Sequence, residues 1–264
     1  MTDNLFQLIR SCSWNGRGNE LGQPGRDFKC VMIKENPKRQ VFRITENGNP
    51  VYYLKIFKAQ PFPFSIIRFY AEKEFNIGIR LKNDGIRTVE YVSWAKLPSG
   101  EGLCLTTAMN NALSGREQFF RNCLSNQEKR RLFLDSMSAL VSSLVSRNYF
   151  HPDLHTGNFL SDCQLNTALV DVWGIRKTSL WTRRKLVVMT APWLDLEGFL
   201  TDNEIISGLV TGKLAKDAED AKSLWSQAKA QKWEEVRKNM KKTRFRILKP
   251  DSKFAKTIVS ENET

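Results

Sequence analysis

The 264-residue chain carries 41 Lys and Arg against 28 Asp and Glu, a formal net charge of +13, with 41% hydrophobic and 26% charged residues. This balance is ordinary for a globular protein that buries one large core or two lobes. No run of 18 apolar residues exists, which excludes a spanning helix, and the positive excess favours polyanionic partners: phosphorylated glycans, anionic membrane or nucleic acid. Five scattered cysteines (Cys12, Cys30, Cys104, Cys123, Cys163) have no C-x-x-C spacing. They argue against a zinc knuckle or a disulfide frame and for reduced thiols in the cytoplasm. Met1-Thr2-Asp3-Asn4-Leu5 opens without a basic region and apolar stretch, so no secretory signal is expected.

Along the chain, residues 28–33, 41–45 and 51–57 read as strands, the last two separated by the turn signal Asn47-Gly48-Asn49. A helix is expected over residues 71–84, stopped by Gly85, then strands over 88–94 and 103–107. The polar Met109-Asn110-Asn111 is the expected hinge. Ser125-Asn126-Gln127-Glu128 reads as a capping box. It opens a long helix whose stripe of Phe133, Met137, Leu140, Val141, Leu144 and Val145 belongs to the core. A loop, a hairpin ending at Asp171 and further helices follow. From Lys229 to Lys256 eleven Lys and Arg stand against three acids, interleaved with Trp233, Val236, Met240, Phe245 and Ile247. This reads either as a basic surface with apolar anchors for anionic lipid or as a terminal helix with a solvated face. Strands first and helices later predict an α+β chain of two lobes, residues 1–108 and 109–264.

The most informative segment is His151-Pro152-Asp153-Leu154-His155-Thr156-Gly157-Asn158, which holds both histidines of the chain. It fits H-x-D-L-x-x-x-N, the catalytic-loop pattern of kinase-fold phosphotransferases. Four fixed positions match by accident roughly once per thousand chains of this length. In that chemistry the Asp receives or positions the acceptor's hydroxyl proton and the Asn holds magnesium. Thirteen residues after Asn158, the apolar run Ala168-Leu169-Val170 ends in Asp171, followed by Val172-Trp173-Gly174. Magnesium needs few protein ligands, because water and phosphate fill its remaining positions, so Asn158 and Asp171 suffice. Lys55 lies in the apolar strand Val51-Tyr52-Tyr53-Leu54-Lys55-Ile56-Phe57, and a buried ammonium needs a partner. Glu74 shares one face of the 71–84 helix with Ile77 and Leu81, whereas the competing Glu72 points elsewhere.

These residues, in this order and spacing, resemble the lipopolysaccharide kinase (Kdo/WaaP) family over roughly residues 28–180. These are small enzymes of protein-kinase-like fold, from Gram-negative bacteria, that phosphorylate inner-core sugars. The segments that carry the resemblance further are Tyr52-Tyr53-Leu54-Lys55 with the basic, Pro-containing 58–63; Glu74-Phe75 leading to Leu81 and Gly85-Ile86-Arg87-Thr88; and His151-Pro152-Asp153-Leu154-His155. The resemblance implies ATP and Mg2+ as cofactors, Asp153 as base, Asn158 and Asp171 as metal ligands, and Lys55 on the phosphates with Glu74 as its partner. It implies that His151 braces the loop and that His155 is a pH-dependent cation where many protein kinases place a Lys. It implies a lipid-linked or free anionic glycan acceptor; with the lipid reading of 229–256, a cytoplasmic protein peripheral on the inner membrane is expected. The departures are plain. No G-x-G-x-x-G precedes Lys55; the turn Glu35-Asn36-Pro37-Lys38-Arg39-Gln40 has no glycine, so Lys38 and Arg39 would replace backbone amides at the phosphates. An extra residue separates Asp171 from Gly174. Nothing after Gly174 resembles an activation loop, with Ala191-Pro192-Trp193 a faint echo of Ala-Pro-Glu.

His151 and His155 could bind zinc, but Pro152 opposes the helical phase and there is no third histidine. Lys55 could be an edge-strand gatekeeper, Glu74 a surface carboxylate and Asp171 a turn residue. A kinase for aminoglycosides or choline shares the loop pattern, although the basic balance disfavours a cationic acceptor. A kinase-fold scaffold binding RNA or protein is the third class; retention of the catalytic groups opposes it, and nucleic acid is the less expected partner.

Overall fold

The computed structural model describes residues 20–23, 26–59 and 70–247, with side chains over 29–59 and 70–234. The chain is mixed α/β, with an antiparallel N-terminal sheet and a helical C-terminal part. The sheet has six strands in the order β1-β2-β3-β4-β6-β5: β1 (Glu20–Gln23), β2 (Arg26–Glu35), β3 (Arg39–Glu46), β4 (Asn49–Phe57), β5 (Tyr91–Lys96) and β6 (Gly102–Thr107). Period-two alternation sorts the side chains of β4. Leu54 and Ile56 face one side, with Phe42, Ile44, Leu103 and Leu105. Lys55 and Phe57 face the other, opposite Val41 and Arg39 of β3, with Lys55 also opposite Cys104 of β6.

That second face is covered by α1 (Tyr70–Asn83), which buries Ala71, Glu74, Ile77, Gly78 and Leu81. The helix closes on Gly85, whose φ of +70° is left-handed, and the Ile86 amide returns to the Leu81 carbonyl at 2.8 Å. The chain then pairs with a distant hairpin. The Leu169 amide donates to the Arg87 carbonyl at 3.0 Å and the Val89 amide to the Leu169 carbonyl at 3.1 Å. These two bonds fasten the α1–β5 connection to the strand that leads into Asp171.

The second part starts at β7 (Leu113–Ser114) and α2 (Gly115–Gln118), continues through a π-helical turn (Phe119–Cys123) and reaches α3 (Gln127–Ser146). The buried stripe of α3 includes Phe133, Met137, Leu140, Val141 and Leu144. Its cap corrects the sequence reading. Asn126, not Ser125, is the cap, accepting from the Lys129 amide at 2.9 Å. With Asn126 there, the third helical position is Lys129, a donor that cannot return the bond Glu128 was expected to give. Reciprocal boxes form instead at Ser114 with Glu117 and at Thr201 with Glu204.

After α3 come β8 (Tyr149–Phe150), a 3-10 turn (Thr156–Asn158), the hairpin β9 (Phe159–Ser161) and β10 (Thr167–Leu169), a second 3-10 turn (Val172–Gly174) and β11 (Arg176–Lys177). β9 pairs with β10 and β7, and β8 with β11. Helices α4 (Arg183–Met189), α5 (Ala191–Leu194), α6 (Asp202–Thr211) and α7 (Ala218–Ile247) complete the fold. Trp193 is fully buried and lies beside Gly208 of α6, where an added Cβ would sit 2.3 Å from its Nε1. No helix among the described residues is long and apolar enough to cross a membrane. Of the basic 229–256 segment, Trp233 is exposed; the side chains of Val236, Met240, Phe245 and Ile247, and the chain from 248, lie outside the described residues.

Gly78 sets how closely α1 approaches β5: a Cβ there would lie 2.1 Å from the buried Tyr91 ring. Ala in place of Gly gains about 1 kcal/mol of helix propensity, and overpacking costs about 1–3 kcal/mol. At 2.1 Å overpacking wins, so Gly78→Ala is expected to lower the urea midpoint without changing the slope of the transition.

Candidate active site

A row of alternating charges runs along the α1 face of the sheet. Glu74 has no exposed surface, and its Oε1 receives the Lys55 ammonium and, at 3.2 Å, the Tyr91 hydroxyl. Lys55 also reaches Asp171 Oδ1 at 3.5 Å. Arg39 closes the row: both of its terminal nitrogens donate to Asp171, one to each carboxylate oxygen, a bidentate fork. The side chains of Lys55, Asp171 and Arg39 are 13%, 19% and 15% exposed.

The electrostatics follow from that packing. Burial would raise the Asp171 carboxyl, but Lys55 and Arg39 overcome it and hold the group far below the usual carboxylate range. Burial would likewise lower Lys55, and Glu74 and Asp171 reverse it, so the ammonium stays charged. Arg39 is raised by Asp171, with smaller contributions from Glu74 and Asp153. Burial, then Glu74, drives the Tyr91 phenol well above its ordinary value, which makes it a fixed donor.

Backbone geometry aims Asp171. It stands in the left-handed region, φ 63° and ψ 47°, between β10 and the 3-10 turn, a conformation Asp tolerates better than most side chains. The Val170 amide donates to the Asn158 carbonyl at 2.9 Å, so Asp171 follows directly on the register that holds Asn158.

The 151–158 loop is braced from three sides. The His151 amide donates to Met189 Sδ at 3.4 Å, and His151 Nδ1 accepts from the Asp153 amide at 3.3 Å. Thr156 donates its amide and hydroxyl to Asp195 Oδ2, at 2.8 and 2.9 Å. Gly115 permits the close approach of α2; a Cβ there would meet the Thr156 carbonyl at 2.7 Å. Asn158 donates its amide nitrogen to the Asp153 carbonyl at 2.6 Å, which leaves Oδ1 as the atom able to bind a cation. Asp153 itself is exposed, and His155 Nδ1 accepts from the Gly157 amide at 3.0 Å.

Two cavities border the loop. One, of about 290 Å³, is lined by Asp153, His155, Asp195 and Lys232 among others. The other, of about 900 Å³, lies between α1, the 3-10 turn at Trp173 and β11, and touches the loop at Pro152.

The structure thus brings Lys55, Glu74 and Asp171 into direct contact and sets Asn158 beside Asp171 by backbone pairing. Lys38 is exposed and lines the larger cavity; its neighbour Arg39 makes the contact with Asp171. Glu72 is half-buried and lines the same cavity. His151 is buried with Nε2 unpartnered, and no group of three or more His, Cys, Asp or Glu able to hold a metal occurs among the described residues. Sequence reasoning did not find Tyr91 or Asp195. Tyr91 had a signal in its strand phase; Asp195 had none, being an exposed residue 39 positions from Thr156.

No protein-family model matches the chain, and no curated protein matches it. Among solved structures the chain is similar to the bifunctional kinase-methyltransferase WbdD, at 16% identity and a TM-score of 0.41, covering 57% of this chain and 32% of that one. The chain therefore spans about a third of that protein's length.

Replacing Lys55 by Met leaves Glu74 buried without its counter-charge and is expected to cost about 3–5 kcal/mol in urea unfolding at pH 7. The double variant Lys55→Met with Glu74→Gln should recover a large part of that loss, because no bare charge remains. Burial holds His151 down at about 4, below its ordinary 6.5. Between those values the unfolded chain binds more protons than the folded one. The contribution is complete above pH 6.5 and is lost as the pH falls through 4, about 3 kcal/mol in all. His151→Gln should flatten the stability profile in that window, read as urea midpoints against pH.

Proposed function

We propose that this protein is a magnesium-dependent kinase that transfers the γ-phosphoryl group of ATP to a hydroxyl of an anionic inner-core sugar of lipopolysaccharide. One observation carries the reading: Lys55, Glu74 and Asp171, up to 116 positions apart in sequence, meet in one ion-paired row beside Asn158 and the Asp153 loop. Phosphoryl transfer needs little covalent chemistry from a protein; it needs positioned cations, metal ligands and a group to orient the attacking hydroxyl.

The residues fit a magnesium–nucleotide complex. Asn158 Oδ1 and the Asp171 carboxylate are hard oxygen donors, one fixed by its bond to Asp153 and the other kept ionised by its neighbours. Bound there, the metal would neutralise charge on the phosphates. Lys55, steadied by Glu74, would donate to phosphate oxygens. Arg39 would have to give up at least part of Asp171 to admit a metal, and its guanidinium, carried at the start of β3, would then stand in for the backbone amides of a glycine-rich loop. Asp153, exposed at the cavity edge, would accept the hydrogen bond of the attacking hydroxyl and take its proton as the bond to the leaving ADP breaks. His151 and Asp195 would keep the loop in place. The +13 net charge supports an anionic acceptor over the cationic acceptors of aminoglycoside or choline kinases.

Asp153→Ala is expected to reduce transfer from radiolabelled ATP to purified core oligosaccharide by about 10²-fold or more, with MgATP affinity within about twofold of the parent. Transfer at the parent rate would refute the assignment.

A further inference from the structure

The larger cavity has a composition that phosphoryl transfer itself does not require. Among the described residues its lining includes Lys38, Lys73, Arg80, Arg176 and Lys177 against a single acid, Glu72. Lys177 is already engaged, at 3.1 Å from Asp84 and over the Tyr149 ring. Lys38, Lys73, Arg80 and Arg176 form no ion pair with a described carboxylate. Arg176 lies over the Phe150 ring and Lys73 beside Trp173, but no described carboxylate neutralises any of the four, and an anion entering the concavity would do so.

The cavity also offers aromatic surface. Trp173 packs edge-on to Tyr70 at 5.6 Å between centroids and lies 6.0 Å from the Lys73 ammonium. Both rings line the cavity, and neither is fully buried. Flat apolar rings beside charged donors suit a ligand with one apolar face and one anionic group, as a sugar phosphate or sugar acid has. At about 900 Å³ the space lies within the range of small-molecule sites.

Its placement separates it from the nucleotide row. Lys73 and Arg80 lie on the outer side of α1, while Glu74 points inward to Lys55. Among its lining residues, Lys38, Pro152 and Gly174 adjoin the row and the loop, as neighbours of Arg39, Asp153 and the Asp171 turn.

We infer that this cavity is the acceptor's anion site: it holds a phosphate or carboxylate already present on the sugar while another hydroxyl of that sugar reaches Asp153. The inference rests on the kinase reading and adds where the acceptor sits and which charge it must carry.

The test is calorimetric titration of the full chain, without nucleotide, with mannose 6-phosphate, mannose and inorganic phosphate as probes. Mannose 6-phosphate is expected to bind at least about tenfold more tightly than either of the others, since it alone supplies both charge and ring. Lys73→Gln combined with Arg80→Gln, both at exposed positions, should weaken it by about tenfold or more, with the thermal midpoint and MgATP affinity unchanged. Equal binding of mannose would overturn the inference, as would equal binding of inorganic phosphate, which marks a bare anion site, or parent affinity in the double variant. A chain that shows the expected sugar-phosphate binding but no MgATP binding keeps the cavity as an anionic-sugar site and loses the kinase reading.

Discussion

A carboxylate with no access to water, Glu74, constrains the rest of the molecule. An ion of this kind is tolerated only where opposite charge and hydrogen bonds replace its hydration. Lys55 and Tyr91 supply them at Oε1, Oε2 having no hydrogen-bond partner among the described residues, and they come from β4 and β5, so α1 is fixed against two strands at once. Asp171, from the hairpin of the helical part, adds a second carboxylate beside Lys55, and Arg39 pairs with Asp171 in turn. The row joins β3, β4, α1 and the turn after β10. A buried ion pair adds little net stability against an apolar replacement. Its persistence here is better explained by what the row holds in register than by what it contributes to folding.

Small residues and exposed carboxylates complete that register. Gly78 lets α1 lie close enough for Tyr91 to reach Glu74, and Gly115 lets α2 lie against the Thr156 carbonyl. Asp195 ties the amide and hydroxyl of Thr156 from the end of α5. The parts that would hold a nucleotide and metal are thus locked by packing and charge, while Asp153 projects from a braced loop to the open. Rigid support behind an accessible group is the arrangement that pre-organised sites need.

Much of this was legible in the sequence for identifiable reasons. The alternation of Leu54, Lys55, Ile56 and Phe57 marked a strand, and a lysine in that run demanded a counter-charge. The helical phase of Glu74 with Ile77 and Leu81 chose it over Glu72. The strand lengths and the cap of α3 were less legible. β3 begins at Arg39 rather than Val41, so a residue read as part of a turn is in fact in strand phase with Val41, on the face of Lys55. Ser125 and Asn126 both satisfy capping chemistry, and only the chain path distinguishes them. Asp195 carries no local pattern at all, because its bond to Thr156 depends on how α5 docks.

The fork between Arg39 and Asp171 bears on the order in which ligands arrive. In the free protein the carboxylate already has two cationic neighbours, so a lone divalent ion meets no net negative charge and little reason to stay. Under the proposed kinase reading, a polyphosphate would compete for the guanidinium and could bring the ion with it, so metal and nucleotide would enter together rather than metal first. That consequence comes from a strand that begins two residues earlier than the sequence pattern indicated and so carries Arg39 onto the face of Lys55.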